Sequence, residues 1–198
     1  MTSLILASGS ASRASLLRGA AVEFEVAVSG VDEGAIKQNH RGSPEDLCLA
    51  LAGTKAEAGA RVAQTQIDKF IIGADQILIC EDKIYDKPSD INEARNNLLE
   101  LRGKEHHLVN GIVLYRNGEI IWQFSNRIRL KMREFSPSFL DEYIVHEGES
   151  ILSSVGSYRL EAMGSHLFDD IEGDYFSILG LPLLPLLQEL RKYNLVTP

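Results

Sequence analysis

The chain has 198 residues, 44% of them hydrophobic, and a formal net charge of −8 from 28 acidic side chains against 20 Lys and Arg. That length and apolar content support a substantial core in one domain spanning 1–198, or one domain with a lobed outline. The acidic balance argues against partners such as a nucleic-acid polymer or an anionic membrane surface, since both need an excess of Lys and Arg. Cys48 and Cys80 sit in apolar runs and read as small core hydrophobes rather than a disulfide or metal pair. With no basic-then-apolar leader and no apolar stretch long enough to span a bilayer, the expected location is the cytoplasm.

In chain order, strand and helix patterns alternate, which predicts an α/β protein with a largely central sheet. Residues 4–7 read as a strand and 11–18 as a helix stopped by Gly19. A second strand over 23–28 leads into Asp32 and Glu33. Ser43, Pro44 and Asp46 supply an N-cap, a first-turn proline and an acidic first turn for a long helix to about residue 63. Residues 70–80 form the strongest strand, followed by a tight polar turn and "DKP" at 86–88. Ser89 or Asp90 caps a helix to about residue 102, and Gly103 ends it. Asn117-Gly118 joins two strands as a hairpin, because that pair readily takes positive φ. Ser136-Pro137 starts another helix, a Gly- and Ser-containing section follows, and 183–193 closes the chain as an apolar helix.

Four places are chemically unusual. In "LILASGSASRASLL" (4–17) a small-residue turn and the open first turn of a helix offer N–H groups to phosphate oxygens, with Arg13 adding a charge; an ordinary capped turn would look the same. The missing Gly-Lys-Ser/Thr ending excludes a P-loop. Asp75 stands in the apolar strand "FIIGADQILIC", where an unpaired carboxylate is expensive to bury. Alternation puts Ile71, Gly73, Asp75, Ile77 and Ile79 on one face and Gln76 on the other, and Gly73 leaves room for something to approach the backbone. Lys55 interrupts the stripe Leu47, Leu51, Val62 on the long helix, either snorkelling or directed at phosphate. Lys87 is held extended by Pro88, in an anion site or an exposed turn. With Asp32-Glu33, these carboxylates and cations form a set suited to a divalent cation on a polyphosphate. His106 and His107 lie on a strand without further ligands at metal spacing, which favours exposure or simple hydrogen bonding.

"LASGSASRASLL", "VDE" at 31–33, "KA" at 55–56, "GADQ" at 73–76, "DKP" at 86–88 and "EGDYFSILGLPL" at 172–183 together resemble, in order over nearly the whole chain, the Maf family of septum-formation-inhibitor-like nucleoside triphosphate pyrophosphatases. The resemblance implies a central mixed, twisted sheet flanked by helices, with two lobes around a deep cleft as in Maf and inosine-triphosphatase-like folds, and frequently a homodimer. It implies hydrolysis of a nucleoside triphosphate between its α- and β-phosphates with Mg²⁺ or Mn²⁺ as cofactor. Carried over by position, Asp75 activates water, Glu33 with Asp75 serves the metal, and Ser8, Arg13, Lys55 and Lys87 hold the triphosphate. Ser12, Gln76 and Glu161 fall at base-selecting positions. Gln76 and Glu161 are similar to the branch preferring 7-methyl-GTP, and a carboxylate can accept from the guanine N1–H and amine. Ser12 matches neither branch, both of which carry a large aromatic or an arginine there. Most of "EGDYFSILGLPL" reads as a packing junction. A sugar or lipid nucleotidyltransferase would share the opening turn, the Asp and the Lys-Pro, and a nucleotide-binding regulator of septum formation would bind without turnover.

Overall fold

The computed structural model describes residues 4–28, 30–63 and 68–197. The elements in chain order are β1 (Leu4–Leu6), α1 (Ala11–Gly19), β2 (Glu25–Val26), α2 (Glu33–Asn39), α3 (Pro44–Val62), β3 (Phe70–Cys80), β4 (Lys83–Tyr85), α4 (Ile91–Leu101), β5 (Glu105–Arg116), β6 (Glu119–Met132), α5 (Pro137–Glu147), β7 (Phe168–Glu172), α6 (Tyr175–Ile178) and α7 (Leu183–Lys192), with 3-10 turns at Gly148–Ser153 and Met163–Leu167. Among the described residues seven strands make one mixed sheet in the order β2-β1-β3-β5-β6-β7, with β4 paired to β3. β1 runs parallel to β2 and β3, whereas β4 on β3 and β7 on β6 are antiparallel. The expected α/β class with a mixed sheet flanked by helices is therefore observed.

The chain forms two compact units: Met1–Gln76, Asn110–Asn126 and Tyr175–Pro198 in the first, Ile77–Val109 and Arg127–Asp174 in the second. In the first unit both sheet faces are covered, and strand alternation sorts the side chains. Leu4, Leu6, Ile72, Ala74, Ile112 and Leu114 pack with Leu17 of α1 and Leu183, Leu186 and Leu190 of α7. Their odd-numbered neighbours Ile5, Ile71 and Val113 pack with Ala52 and Ala56 of α3. α3 starts on a full capping box: Ser43 Oγ accepts from Asp46 N, and Asp46 Oδ2 accepts from Ser43 N at 3.0 Å.

In the second unit Asp90 caps α4 and Ser136 caps α5. Buried Leu98, Leu101, Leu108, Leu130, Met132, Leu140 and Tyr143 supply its apolar interior. His106 is fully buried and meets the Tyr158 hydroxyl at 2.9 Å, and burial lowers its pKa to about 4.

Several expectations are corrected. The second strand contracts to Glu25–Val26, and Asp32 N-caps α2 rather than ending a strand, its carboxylate accepting from Ala35 N. Gly19 is the last residue of α1; the left-handed turn falls at Ala21. Val62 is exposed, so the apolar stripe through Lys55 stops short of it. β4 occupies what reads as a polar turn, and β7 and α6 lie in the Gly- and Ser-containing section. Among the described residues no helix is long and apolar enough to cross a membrane.

Candidate active site

The position of β3 against α3 organises the charged centre. Gly73 faces α3, and a Cβ placed there would stand 2.1 Å from Ala52 O. The room left by Gly73 is thus filled by the helix backbone, not by a ligand. Close approach at Ala52 brings the next turn of α3, with Lys55, onto Asp75 two residues along β3. Lys55 Nζ donates to Asp75 Oδ1 at 2.5 Å and lies 2.8 Å from Glu33 Oε1. Asp75 is only 5% exposed, while Glu33, the first residue of α2, keeps 39% of its side chain in solvent and lies 3.8 Å from Lys37. One ammonium therefore bridges a buried and a half-exposed carboxylate, which offsets the cost of taking Asp75 out of water.

The β1–α1 turn builds the second half. Ser10 caps α1, accepting from Arg13 N, and its own N–H points to Ser8 Oγ at 3.3 Å. The Arg13 side chain turns back, giving Nη1 to Ser8 Oγ at 3.0 Å and Nε to Gly180 O at 2.8 Å. Burial pulls the Arg13 pKa below its ordinary value, while Asp75, Cys48 and Glu33 act in the opposite direction. Ser12 is half-buried on α1 beside Arg13.

Gln76, next to Asp75, projects from the opposite face of β3. Its Nε2 reaches Ser177 O at 2.9 Å, Asn110 Oδ1 at 3.1 Å and Ile178 O at 3.3 Å. The segment 175–181 is thus more than the packing junction its sequence predicts: three of its main-chain carbonyls take Gln76 and Arg13. Gly180 makes the turn at φ +94°, a conformation that favours glycine.

The structure brings Ser8, Arg13, Glu33, Lys55, Asp75 and Gln76 into the first unit, linked through the adjacent residues 75 and 76. Lys87 and Glu161 belong to the second unit. Lys87 is exposed between β4 and α4, ahead of buried Pro88 and the Asp90 cap. Glu161 Oε1 is 3.2 Å from Arg159 Nε, and Arg159 Nη1 is 3.4 Å from the buried Glu147. Glu147 also accepts from Met163 N at 3.0 Å, so it holds the 159–163 loop at both ends. Sequence reading missed Asn110, Asn126 and Ser177. Asn110 carried a usable signal, a polar residue inside the apolar run "LVNGIVL", of the same kind that singled out Asp75.

Glu33 and Asp75 provide an all-oxygen donor pair, which suits a hard divalent cation bound through one or two carboxylates and completed by substrate phosphates. Among the described residues no group of three or more His, Cys, Asp or Glu forms a self-sufficient metal cage.

Comparison with known proteins places the chain among named pyrophosphatases. A nucleoside triphosphate pyrophosphatase of Granulibacter bethesdensis is 46% identical over 197 residues, covering 98% of each chain. A 7-methyl-GTP pyrophosphatase of Rhizobium meliloti is 42% identical over 196 residues, covering 98% of this chain and 97% of its own. A nucleoside triphosphate pyrophosphatase of Paramagnetospirillum magneticum is 43% identical over 197 residues, covering 98% and 100%. The family model described as Maf-like protein matches residues 3–193, and the chain belongs to the Maf family.

Proposed function

We propose that this protein hydrolyses nucleoside triphosphates, modified ones such as 7-methyl-GTP among them, to nucleoside monophosphate and pyrophosphate. The buried Asp75 carboxylate, held by Lys55 in a near-apolar strand, carries the reading. A carboxylate placed there, beside an ammonium and at the edge of the charged centre, is positioned to accept a proton. The support from relatives is that two named nucleoside triphosphate pyrophosphatases and a named 7-methyl-GTP pyrophosphatase align with nearly the whole chain.

In this mechanism Ser8, Arg13, Lys55 and Lys87 hold the triphosphate and offset its charge. Asp75 takes a proton from a water whose oxygen attacks the α-phosphorus. The bond from that phosphorus to the bridging oxygen breaks, and pyrophosphate leaves with the bridging oxygen. Glu33 and Asp75 would hold Mg²⁺ or Mn²⁺, which when bound supplies neutralisation of the phosphate oxygens. Ser12, Gln76 and Glu161 select the base, with the Glu161 carboxylate as an acceptor toward a guanine edge. Cys48 and Cys80 are buried and form no disulfide, which fits a reducing cytoplasm. A homodimer is the expected assembly, which light scattering on the purified chain reads directly.

The test is pyrophosphate release from nucleotide and divalent metal alone, without an acceptor molecule. Wild type should turn over, which a nucleotidyltransferase or a binding-only regulator would not do. Asp75→Asn should fold and lose turnover; a folded Asp75→Asn with full release would overturn the assignment.

A further inference from the structure

The side-chain amide of Gln76 has a direction that chemistry fixes. Its Nε2 faces Ser177 O and Ile178 O, and main-chain carbonyls can only accept. The group turned toward them is therefore the NH₂, and Oε1 points elsewhere. Asn110 Oδ1 takes the third contact, which commits that oxygen and leaves Asn110 to donate Nδ2 to Asn126 Oδ1 at 3.1 Å. Asn126 in turn donates Nδ2 to Ser177 Oγ at 2.8 Å. Two backbone carbonyls thereby set the polarity of three amides in series, and the chain ends on the residue whose carbonyl began it. Such a directed network is cooperative and resists reversal.

Asn110 and Ser177 are 0% exposed and cannot touch a ligand, whereas Gln76 is half-buried. The bare face of Gly180 borders it: a Cβ there would stand 3.7 Å from both Gln76 Oε1 and Arg13 Nε. Both Gln76 amide protons point to protein acceptors, so the carbonyl oxygen is the group left for a substrate.

We propose that Gln76 meets the nucleotide only as a hydrogen-bond acceptor, selecting bases that present a ring N–H, and that Asn110, Asn126 and Ser177 are positioning residues that hold it in that state. This rests on the reading of Gln76 as a base-selecting residue. Guanine N1–H and uracil N3–H satisfy Oε1. Adenine N1 and cytosine N3, at the same ring position, set a lone pair against it, which an acceptor desolvated by the bound base penalises.

Calorimetric titration of the full chain with α,β-methylene analogues of GTP, UTP, ATP and CTP tests this without cleavage. The GTP and UTP analogues should bind at least about tenfold tighter than the other two. Gln76→Leu should bring that ratio close to one. Gln76→Glu, which sets an oxygen against two carbonyls, should weaken the GTP analogue as well. Asn110→Leu, and Ser177→Ala as the milder second variant, should weaken the GTP and UTP analogues severalfold while the ATP and CTP analogues hold their affinity. A general loss of fit would weaken all four alike.

Tighter binding of the ATP or CTP analogue, binding of none, or a ratio that survives Gln76→Leu would overturn the acceptor assignment. Equal effects of Asn110→Leu and Ser177→Ala on all four analogues, or no effect, would overturn the positioning roles. Failure of the hydrolysis reading shows up separately, as no pyrophosphate from cleavable nucleotides.

Discussion

Replacing Lys55 with Met keeps the length and apolar stem of the side chain and removes only the ammonium that Asp75 and Glu33 share at 2.5 and 2.8 Å. Deleting one partner of a buried ion pair costs about 3–5 kcal/mol because the other charge is left uncompensated; an exposed pair contributes about 0–1 kcal/mol. Asp75 at 5% exposure lies near the first limit, and Glu33, with 39% of its side chain exposed, near the second. About 3 kcal/mol is the expected loss for Lys55→Met, and in a chain of this size each kcal/mol moves Tm by about 2–4 °C. A fall of about 6–12 °C follows. Thermal unfolding and urea midpoints of Lys55→Met, Asp75→Asn and the double variant form the assay. The double variant should recover a large part of the loss, since the stranded carboxylate is gone, giving a coupling above about 1 kcal/mol. A Lys55→Met protein with the wild-type Tm, or strictly additive losses, would refute the account of Asp75 as a charge kept in place by Lys55.

Gly73→Ala should lower Tm by several degrees and abolish turnover together, because its Cβ would lie 2.1 Å from Ala52 O and must push α3, with Lys55, away from Asp75; calorimetry and pyrophosphate release check the pair. His106 gives a pH signature. Burial depresses its folded-state pKa to about 4, so its contribution is fully present above about pH 6.5 and is lost as pH falls toward 4, with a limit of about 3 kcal/mol. His106→Phe should flatten the fall in urea midpoint between pH 7 and pH 4.5, and an unchanged slope would remove His106 as its source.

The long elements were legible because their signals are local. β3 covers the apolar run 70–80 as expected, and the Ser43-Pro44-Asp46 start of α3 is written in three side chains. β2, β4, β7 and α6 were misread because each is five residues or fewer and owes its form to a neighbour. At the site, Asp75 and Lys55 each stood out as a charge in an apolar pattern. Their pairing depends on how closely α3 approaches Gly73, which only the folded packing reveals. The carbonyls of Ser177, Ile178 and Gly180 had no sequence signature, since every residue carries that group. Asn110 interrupts the apolar run 108–114 in the way Asp75 interrupts 70–80, but an uncharged amide is the weaker signal.

The bond from Arg13 Nε to Gly180 O joins residues 167 positions apart. Contacts of such sequence separation close large loops and form late in folding. A chain released before Gly180 has Asp75, Lys55 and Glu33 already in hand, yet lacks the carbonyls that orient Arg13 and Gln76. The segment 175–181 therefore completes the site from far along the chain, supplying the acceptors that orient both side chains. A truncated product would lack the anchors of both side chains and should not gain full competence toward nucleotides.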